Sequence, residues 1–125
     1  MKFFIDKHEK YTLIRLENNK LISEIAPQLK SELIQINATG VCNLILDLKN
    51  VQLADSSGLS ALLTGNRLFK SSGGLFVICG LSPHVKKLIE ISKLDGTLII
   101  LPTVSEAVDM VFLDQLEKGL LGEEK

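Results

Sequence analysis

The stretch VQLADSSGLSALL, residues 51–63, contains the change of pattern that decides the fold. It follows NLILDL, residues 43–48, a nearly all-apolar run that indicates a strand covered on both faces. From Leu59 onward, apolar residues recur at three- and four-residue steps, which indicates a helix. Near the join stand an acid, two hydroxyls and a glycine: Asp55, Ser56, Ser57 and Gly58. Because ligands and partners gather where a strand's carboxyl end passes into a helix, this corner is the first candidate for function.

The alternation of strand and helix patterns extends along the chain. Residues 3–16 contain two apolar runs separated by a polar bend, which indicates a hairpin. Residues 22–36 follow a helical period with Pro27 in the first turn. Two further apolar strands are predicted at residues 75–79 and 97–101, each followed by a helical pattern. This order, ββαβαβαβα, predicts a single α/β domain with a mixed central sheet and helices packed mainly on one side.

Helix start signals support the last two helices. Ser82 followed by Pro83 indicates an N-cap with proline at the first helical position. Thr103 with Glu106 three residues later indicates a capping box. The domain is expected to span residues 1–118, with residues 119–125 forming a flexible C-terminal tail.

Composition limits the classes of function. The chain has 125 residues, 46% of them hydrophobic and 23% charged, which suits one globular domain with its own core. Lys and Arg number 14 against 15 Asp and Glu, without a long basic run, so nucleic acid is a poor candidate partner. Cys42 and Cys79 form neither a CxxC motif nor a disulfide framework. We expect both to be small buried hydrophobes in a reducing cytosol.

Targeting signals are not apparent in the sequence. The apolar part of MKFFIDKHEK, residues 1–10, is too short for a signal peptide. No stretch approaches the roughly 20 apolar residues of a membrane span. We therefore expect a cytoplasmic protein without a membrane partner.

Three interpretations of the corner are open. Asp and Ser are favoured N-caps and Gly permits a sharp turn, although one cap needs only one such side chain. In a catalytic interpretation, Ser57 is a nucleophile and His84 its base, with Asp55 or Asp47 orienting the histidine. The G-x-S-x-G elbow of such enzymes is missing here. In the third interpretation Ser57 is a kinase substrate, where phosphorylation would add about −1.5 to −2 charges at a helix start that tolerates them.

The run LILDLKNVQLADSSGLSALL, residues 44–63, resembles the central segment of the STAS domain. That fold occurs in bacterial anti-sigma factor antagonists and in the cytoplasmic tails of sulphate transporters. In the family, a buried strand leads through a D-S-S-G loop into a helix. APQLKSEL, residues 26–33, resembles the first helix of the family, and residues 75–108 resemble its C-terminal half. The resemblance covers roughly Phe3 to Leu116.

The resemblance implies a phosphorylation-controlled anti-sigma factor antagonist. The second serine of the family's loop, matching Ser57 here, is phosphorylated by an anti-sigma factor that is also a serine kinase, and a serine phosphatase would reverse this. The resemblance implies no metal or cofactor in this chain, and no enzyme activity of its own. The residues expected to bind the partner are Lys20, Leu21, Ile22, Ser23, Asp55, Ser56, Ser57, Gly58, Leu59, Gly80, Leu81 and Ser82.

One departure from the family concerns the partner surface. Many phosphorylatable members carry an aspartate after the hairpin, facing the phosphorylation site. Here NNKLISEIAP, residues 18–27, places Ile22 at that position, with Ser23 beside it. Two alternatives therefore stay open: a constitutive scaffold or sensor-complex subunit independent of phosphorylation, and, more remotely, a small serine hydrolase.

Overall fold

The computed structural model describes residues 1–122, which form seven strands and four helices. The strands are β1 (Phe3–Lys7), β2 (Thr12–Leu16), β3 (Lys20–Leu21), β4 (Leu44–Asp47), β5 (Leu53–Ala54), β6 (Phe76–Cys79) and β7 (Ile99–Leu101). The helices are α1 (Ala26–Ala38), α2 (Ser56–Ser71), α3 (Pro83–Ile91) and α4 (Val104–Gly122). Apart from the two-residue strands β3 and β5, this is the predicted order ββαβαβαβα.

The central sheet has five strands in the order β1-β2-β4-β6-β7. β1 is antiparallel to β2, and the remaining neighbours are parallel. The prediction of a mixed sheet is therefore confirmed. Every residue of β4 and β6 is buried, because both faces of the sheet are covered at its centre, and this explains their nearly all-apolar sequences.

The helices divide unequally between the two faces. α1, α2 and α3 share one core with the sheet, to which they contribute residues such as Leu29, Leu62 and Ile89. α4 covers the other face through Ala107 and Val111. The prediction of helices mainly on one side is confirmed. The carboxyl end of β6 leads directly into the predicted segment 80–82, and the carboxyl end of β4 leads through β5 to the predicted segment 55–59.

The first helix begins later than its apolar period suggested. Residues 22–25 form a turn in which the Ile22 carbonyl accepts hydrogen bonds from the amides of Ile25 and Ala26. α1 then starts at Ala26, with Pro27 in its first turn as predicted. Ile25 still packs against the core, so the apolar spacing continues through the turn although the helix does not.

Both predicted N-cap side chains accept a hydrogen bond from a helix amide. Ser82 Oγ accepts a hydrogen bond from the Val85 amide at 3.3 Å and caps α3. Thr103 Oγ1 accepts one from the Glu106 amide at 3.2 Å at the start of α4. α4 extends to Gly122, so residues 119–122 are helical, whereas residues 123–125 of the predicted tail lie outside the described residues. Within residues 1–122, none of the helices combines the length and the apolarity needed to cross a bilayer.

The expectation that both cysteines are buried is right for Cys79 and wrong for Cys42. Cys79 is in the central strand β6 and fully buried. Cys42 is exposed because it lies in the loop between α1 and β4, outside the strand whose two faces are covered. Burial raises the pKa of the Cys79 thiol to about 12, and the nearby Asp47 carboxylate adds to this rise.

This difference predicts how the two thiols react. At about pH 8, Ellman's reagent should modify Cys42 of the native protein at once, because the thiol is accessible. Cys79 should react only on unfolding, since it is both enclosed and held in the unreactive thiol form. Counting reacted thiols before and after adding denaturant measures this. A Cys42→Ser variant should show no fast reaction, and a rapid one would contradict the burial of Cys79.

Candidate partner-binding site

Asp55 caps the helix that carries the two serines. One of its carboxylate oxygens accepts a hydrogen bond from the Gly58 amide at 3.0 Å, which is the N-cap geometry of α2. The other accepts one from the Ser23 amide at 3.1 Å. The acid therefore satisfies one orphan amide of α2 and fastens the segment before α1 to the same point. The capping interpretation is confirmed for Asp55, and it accounts for the acid without using either serine.

The two serine hydroxyls remain available at the surface. Ser56 is exposed and Ser57 is partly exposed, at the first and second positions of α2. Within residues 1–122, neither hydroxyl makes a hydrogen bond to another protein group. Ser57 is therefore a serine that another protein can reach, on a helix whose start is fixed by a different residue.

Gly58 lets α2 begin in direct contact with β3. A Cβ atom at this position would overlap the Leu21 carbonyl oxygen and lie 2.9 Å from Leu21 Cγ. The same carbonyl accepts a hydrogen bond from the Asp55 amide at 3.2 Å. β3 pairs in parallel with β5, so that Leu21 lies opposite Ala54. This small second sheet and the glycine together hold residues 55–58, the Ser57 corner, at a defined position.

A cleft between α1 and α2 opens beside the Ser57 corner. This α1–α2 cleft has a volume of about 330 Å³. Its lining residues are Ser23, Ala26, Pro27, Lys30, Ser56, Ser57 and Ser60. Lys30 Nζ donates a hydrogen bond to Ser60 Oγ at 2.9 Å. Lys30 was not predicted from the sequence, because the helical spacing of α1 gives no sign of which neighbour that helix packs against.

The side chains of the predicted segment 20–23 differ in their exposure to solvent. Lys20 and Ser23 are exposed and Ile22 is partly exposed, so their side chains can reach a partner. Leu21 is fully buried, and Leu59 is 7% exposed. We therefore correct the expectation for these two leucines: their side chains belong to the core and shape the corner from below.

The third predicted segment lies close to the second small strand. Ser82 Oγ donates a hydrogen bond to the Gln52 carbonyl at 3.2 Å, which ties the loop before α3 to the residue before β5. Gly80 has a φ of +73°, a conformation that L side chains rarely adopt. Leu81 is partly exposed, and Leu53 is exposed by 42%. Sequence reasoning did not select Leu53, although an apolar residue between polar Gln52 and the corner was a possible signal.

The structure does not bring together the residues of the catalytic interpretation. Asp47 is buried and pairs with Arg15, with Asp47 Oδ2 lying 3.1 Å from Arg15 Nε. Alternation along β4 directs Asp47 to the α4 face of the sheet, away from α2. Asp55 is occupied by the two amides it caps, and the exposed His84 has no hydrogen bond to Ser57 among the described residues. Residues 1–122 also contain no group of three or more His, Cys, Asp or Glu side chains placed to hold a metal ion.

Known proteins share both the sequence pattern and the fold. Residues 4–107 match the STAS domain family. The chain is 31% identical over 105 residues to the putative anti-sigma factor antagonist BtrV of Bordetella bronchiseptica, covering 84% of this chain and 87% of that protein. It is 38% identical over 52 residues to the anti-sigma F factor antagonist of Paenibacillus polymyxa, which is 42% of this chain and 44% of that protein.

A solved structure gives the same result for the fold. The crystal structure of a putative anti-sigma factor antagonist from Thermotoga maritima superposes with a TM-score of 0.78 at 26% identity, covering 87% of this chain and 93% of that one. The elements predicted from the sequence, their arrangement in the structure and the match over residues 4–107 agree. This chain therefore belongs to the STAS domain family, and the relatives described above are named anti-sigma factor antagonists.

Proposed function

We propose that this chain is an anti-sigma factor antagonist controlled by phosphorylation of Ser57. The unphosphorylated form binds an anti-sigma factor that is also a serine kinase, and this binding releases a sigma factor. Phosphorylation of Ser57 ends the binding, and a serine phosphatase restores it. The chain acts as a binding protein, and the partner kinase binds the Mg-ATP that supplies the phosphoryl group.

The observation that carries the proposal is that one residue of the corner makes the structural hydrogen bonds and another faces the solvent. Asp55 makes both structural hydrogen bonds, whereas the Ser57 hydroxyl is partly exposed and makes none among the described residues. A phosphoryl group can therefore be added without breaking a contact that holds the fold. At the second position of α2 the added negative charge faces the positive end of the helix dipole, which favours it.

The side chains around the corner support a binding surface. Leu53 is exposed in β5 just before the corner. Ile22 adjoins Ser23, which is hydrogen-bonded to Asp55, and Leu81 adjoins Ser82, which is hydrogen-bonded to Gln52. Lys20 adds a positive charge. Contacts of this kind lose water when a partner docks, so a charge introduced among them changes affinity strongly. Since Ile22 stands where many phosphorylatable family members have an aspartate, we expect this partner to be recognised through apolar contact at that position.

The proposal is tested by finding the partner and asking what it does to Ser57. The tagged chain is used to capture partners from its native cell, and the captured protein is purified and incubated with the chain and Mg-ATP. We expect mass spectrometry to place phosphate on Ser57, with none in Ser57→Ala and normal labelling in Ser56→Ala.

Two outcomes would overturn the proposal in favour of the alternatives. Stable capture of a partner that never phosphorylates Ser57, and that binds equally well to Ser57→Ala and Ser57→Asp, would indicate a constitutive scaffold. Esterase activity that is abolished by Ser57→Ala would indicate a hydrolase.

A further inference from the structure

The α1–α2 cleft contains a lysine next to the proposed phosphorylation site. Lys30 is the only charged residue among those that line the described cleft. Its stem is partly buried, and its ammonium group contacts Ser60 Oγ at 2.9 Å, one helical turn after Ser56. The nearest acid in sequence to Ser57 is Asp55, whose two oxygens already accept hydrogen bonds from backbone amides. Ser57 therefore opens into a space whose only charged lining residue, among those that the structure describes, is the cationic Lys30.

We propose that Lys30 is a positioning residue that forms an ion pair with the phosphate on phosphorylated Ser57 and holds this phosphate in the α1–α2 cleft. This inference rests on the proposed function and adds a residue to its regulation. Ser57 and Lys30 line the same space of about 330 Å³. The Lys30 ammonium is on a flexible stem, so it can leave the neutral Ser60 hydroxyl and bind the phosphate on Ser57 instead. Hydrogen bonds between ionised groups are roughly twice as strong as neutral ones, so the exchange is favourable.

The exchange has a consequence for the phosphorylated form. When Nζ moves to the phosphate, the Ser60 hydroxyl no longer accepts its hydrogen bond and can donate its own proton to the anion, as a second donor beside Lys30. The phosphate is then partly neutralised by this chain's own residues, so that it blocks partner docking without straining the helix start. The side chain of Lys30 is therefore expected to differ between the two forms while the backbone of α1 stays in place.

The test uses a protein in which phosphoserine is incorporated at position 57 during translation, so that no kinase is needed. The second pKa of the phosphate is measured by ³¹P NMR titration in the otherwise unchanged chain and in Lys30→Met. A cation close to the phosphate favours the dianion, so we expect the pKa to be higher in Lys30→Met by about half a unit. Lys30→Arg should keep the lower value. Lys87→Met, which removes the same charge from an exposed position of α3, should leave it unchanged.

An identical phosphate pKa with and without the Lys30 charge would overturn the inference. If Lys30→Met does not fold, the ammonium resonance of Lys30 supplies the answer, since it should shift when Ser57 carries phosphate and an unmoved resonance would contradict the contact. The outcome is separable from the proposed function. A failure here leaves kinase-dependent switching intact, and a failure to find the kinase leaves the Lys30 measurement valid.

Discussion

Replacing Ser57 by aspartate is expected to weaken binding to the anti-sigma factor by about a hundredfold or more, while Ser57→Ala keeps the affinity of the wild type. Leu53 lies in β5 just before the corner, and Ile22 adjoins Ser23, whose amide is hydrogen-bonded to Asp55. We expect these apolar side chains to lose water when the proposed partner docks. Taking a charge out of water in such a contact costs several kcal/mol, and attraction to a nearby lysine such as Lys30 offsets only part of that cost. About 3 kcal/mol is enough for a change of more than a hundredfold in affinity.

Calorimetry with the purified partner measures this effect, and α4 supplies a matched control. Ser105 is an exposed serine at the second position of α4, after the Thr103 cap, just as Ser57 follows the Asp55 cap of α2. Ser105→Asp adds the same charge to the same kind of helix position at the start of the helix that covers the opposite face of the sheet, and should leave the affinity within about twofold of the wild type. A Ser57→Asp variant that binds as tightly as Ser105→Asp would show that the corner is not where the partner docks.

The salt dependence of the Ser57→Asp effect separates its two physical causes. Repulsion by acidic groups of the partner is screened as ionic strength rises, whereas the loss from taking the added charge out of water persists. We expect most of the loss to persist at high salt, because the predicted surface carries apolar Leu53 and Ile22 and basic Lys20 beside its serines, and a partner surface that matches them is not uniformly acidic.

The parts of the fold that sequence predicted are those governed by local chemistry. The nearly all-apolar run 43–48 indicated a strand covered on both faces, and β4 is such a strand. Asp55, Ser82 and Thr103 all accept the hydrogen bonds that cap helices. Caps and periodicity depend on residues a few positions apart, and those are visible in one sequence.

The features that sequence missed depend on residues far apart in the chain. β3 and β5 have two residues each, too few to show alternation, and exist because the two segments meet across about 30 residues of chain. Lys30 became a candidate only when α1 was found to lie beside the start of α2. Cys42 was predicted to be buried from its residue type, whereas its exposure follows from its position in a loop.

Gly58→Ala is expected to lower the free energy of unfolding by about 2 kcal/mol, although alanine is the better helix former. The added methyl group would overlap the backbone carbonyl of Leu21, and backbone cannot rotate away as a side chain can. That carbonyl is held by the Asp55 amide and by the pairing of β3 with β5. Relief therefore requires either the first turn of α2 or β3 to move.

Urea unfolding of the variant measures the loss, and a second helical glycine provides the control. A Cβ atom at Gly119 of α4 meets nothing within 4 Å, so Gly119→Ala should leave stability unchanged or raise it by up to about 1 kcal/mol. The difference between the two variants isolates the contact with Leu21 from the helix propensity that both substitutions share. A Gly58→Ala variant as stable as Gly119→Ala would show that α2 can move away from β3 without loss.

The same substitution links stability to function through the position of Ser57. Because Gly58 follows Ser57 directly, any shift of the first turn of α2 away from Leu21 also displaces the hydroxyl and the surface around it. We therefore expect Gly58→Ala to bind the partner less well than the wild type, even under conditions in which the variant is fully folded. Gly119→Ala should bind normally, and equal affinity of the two variants would mean that the partner does not require the corner in a fixed position.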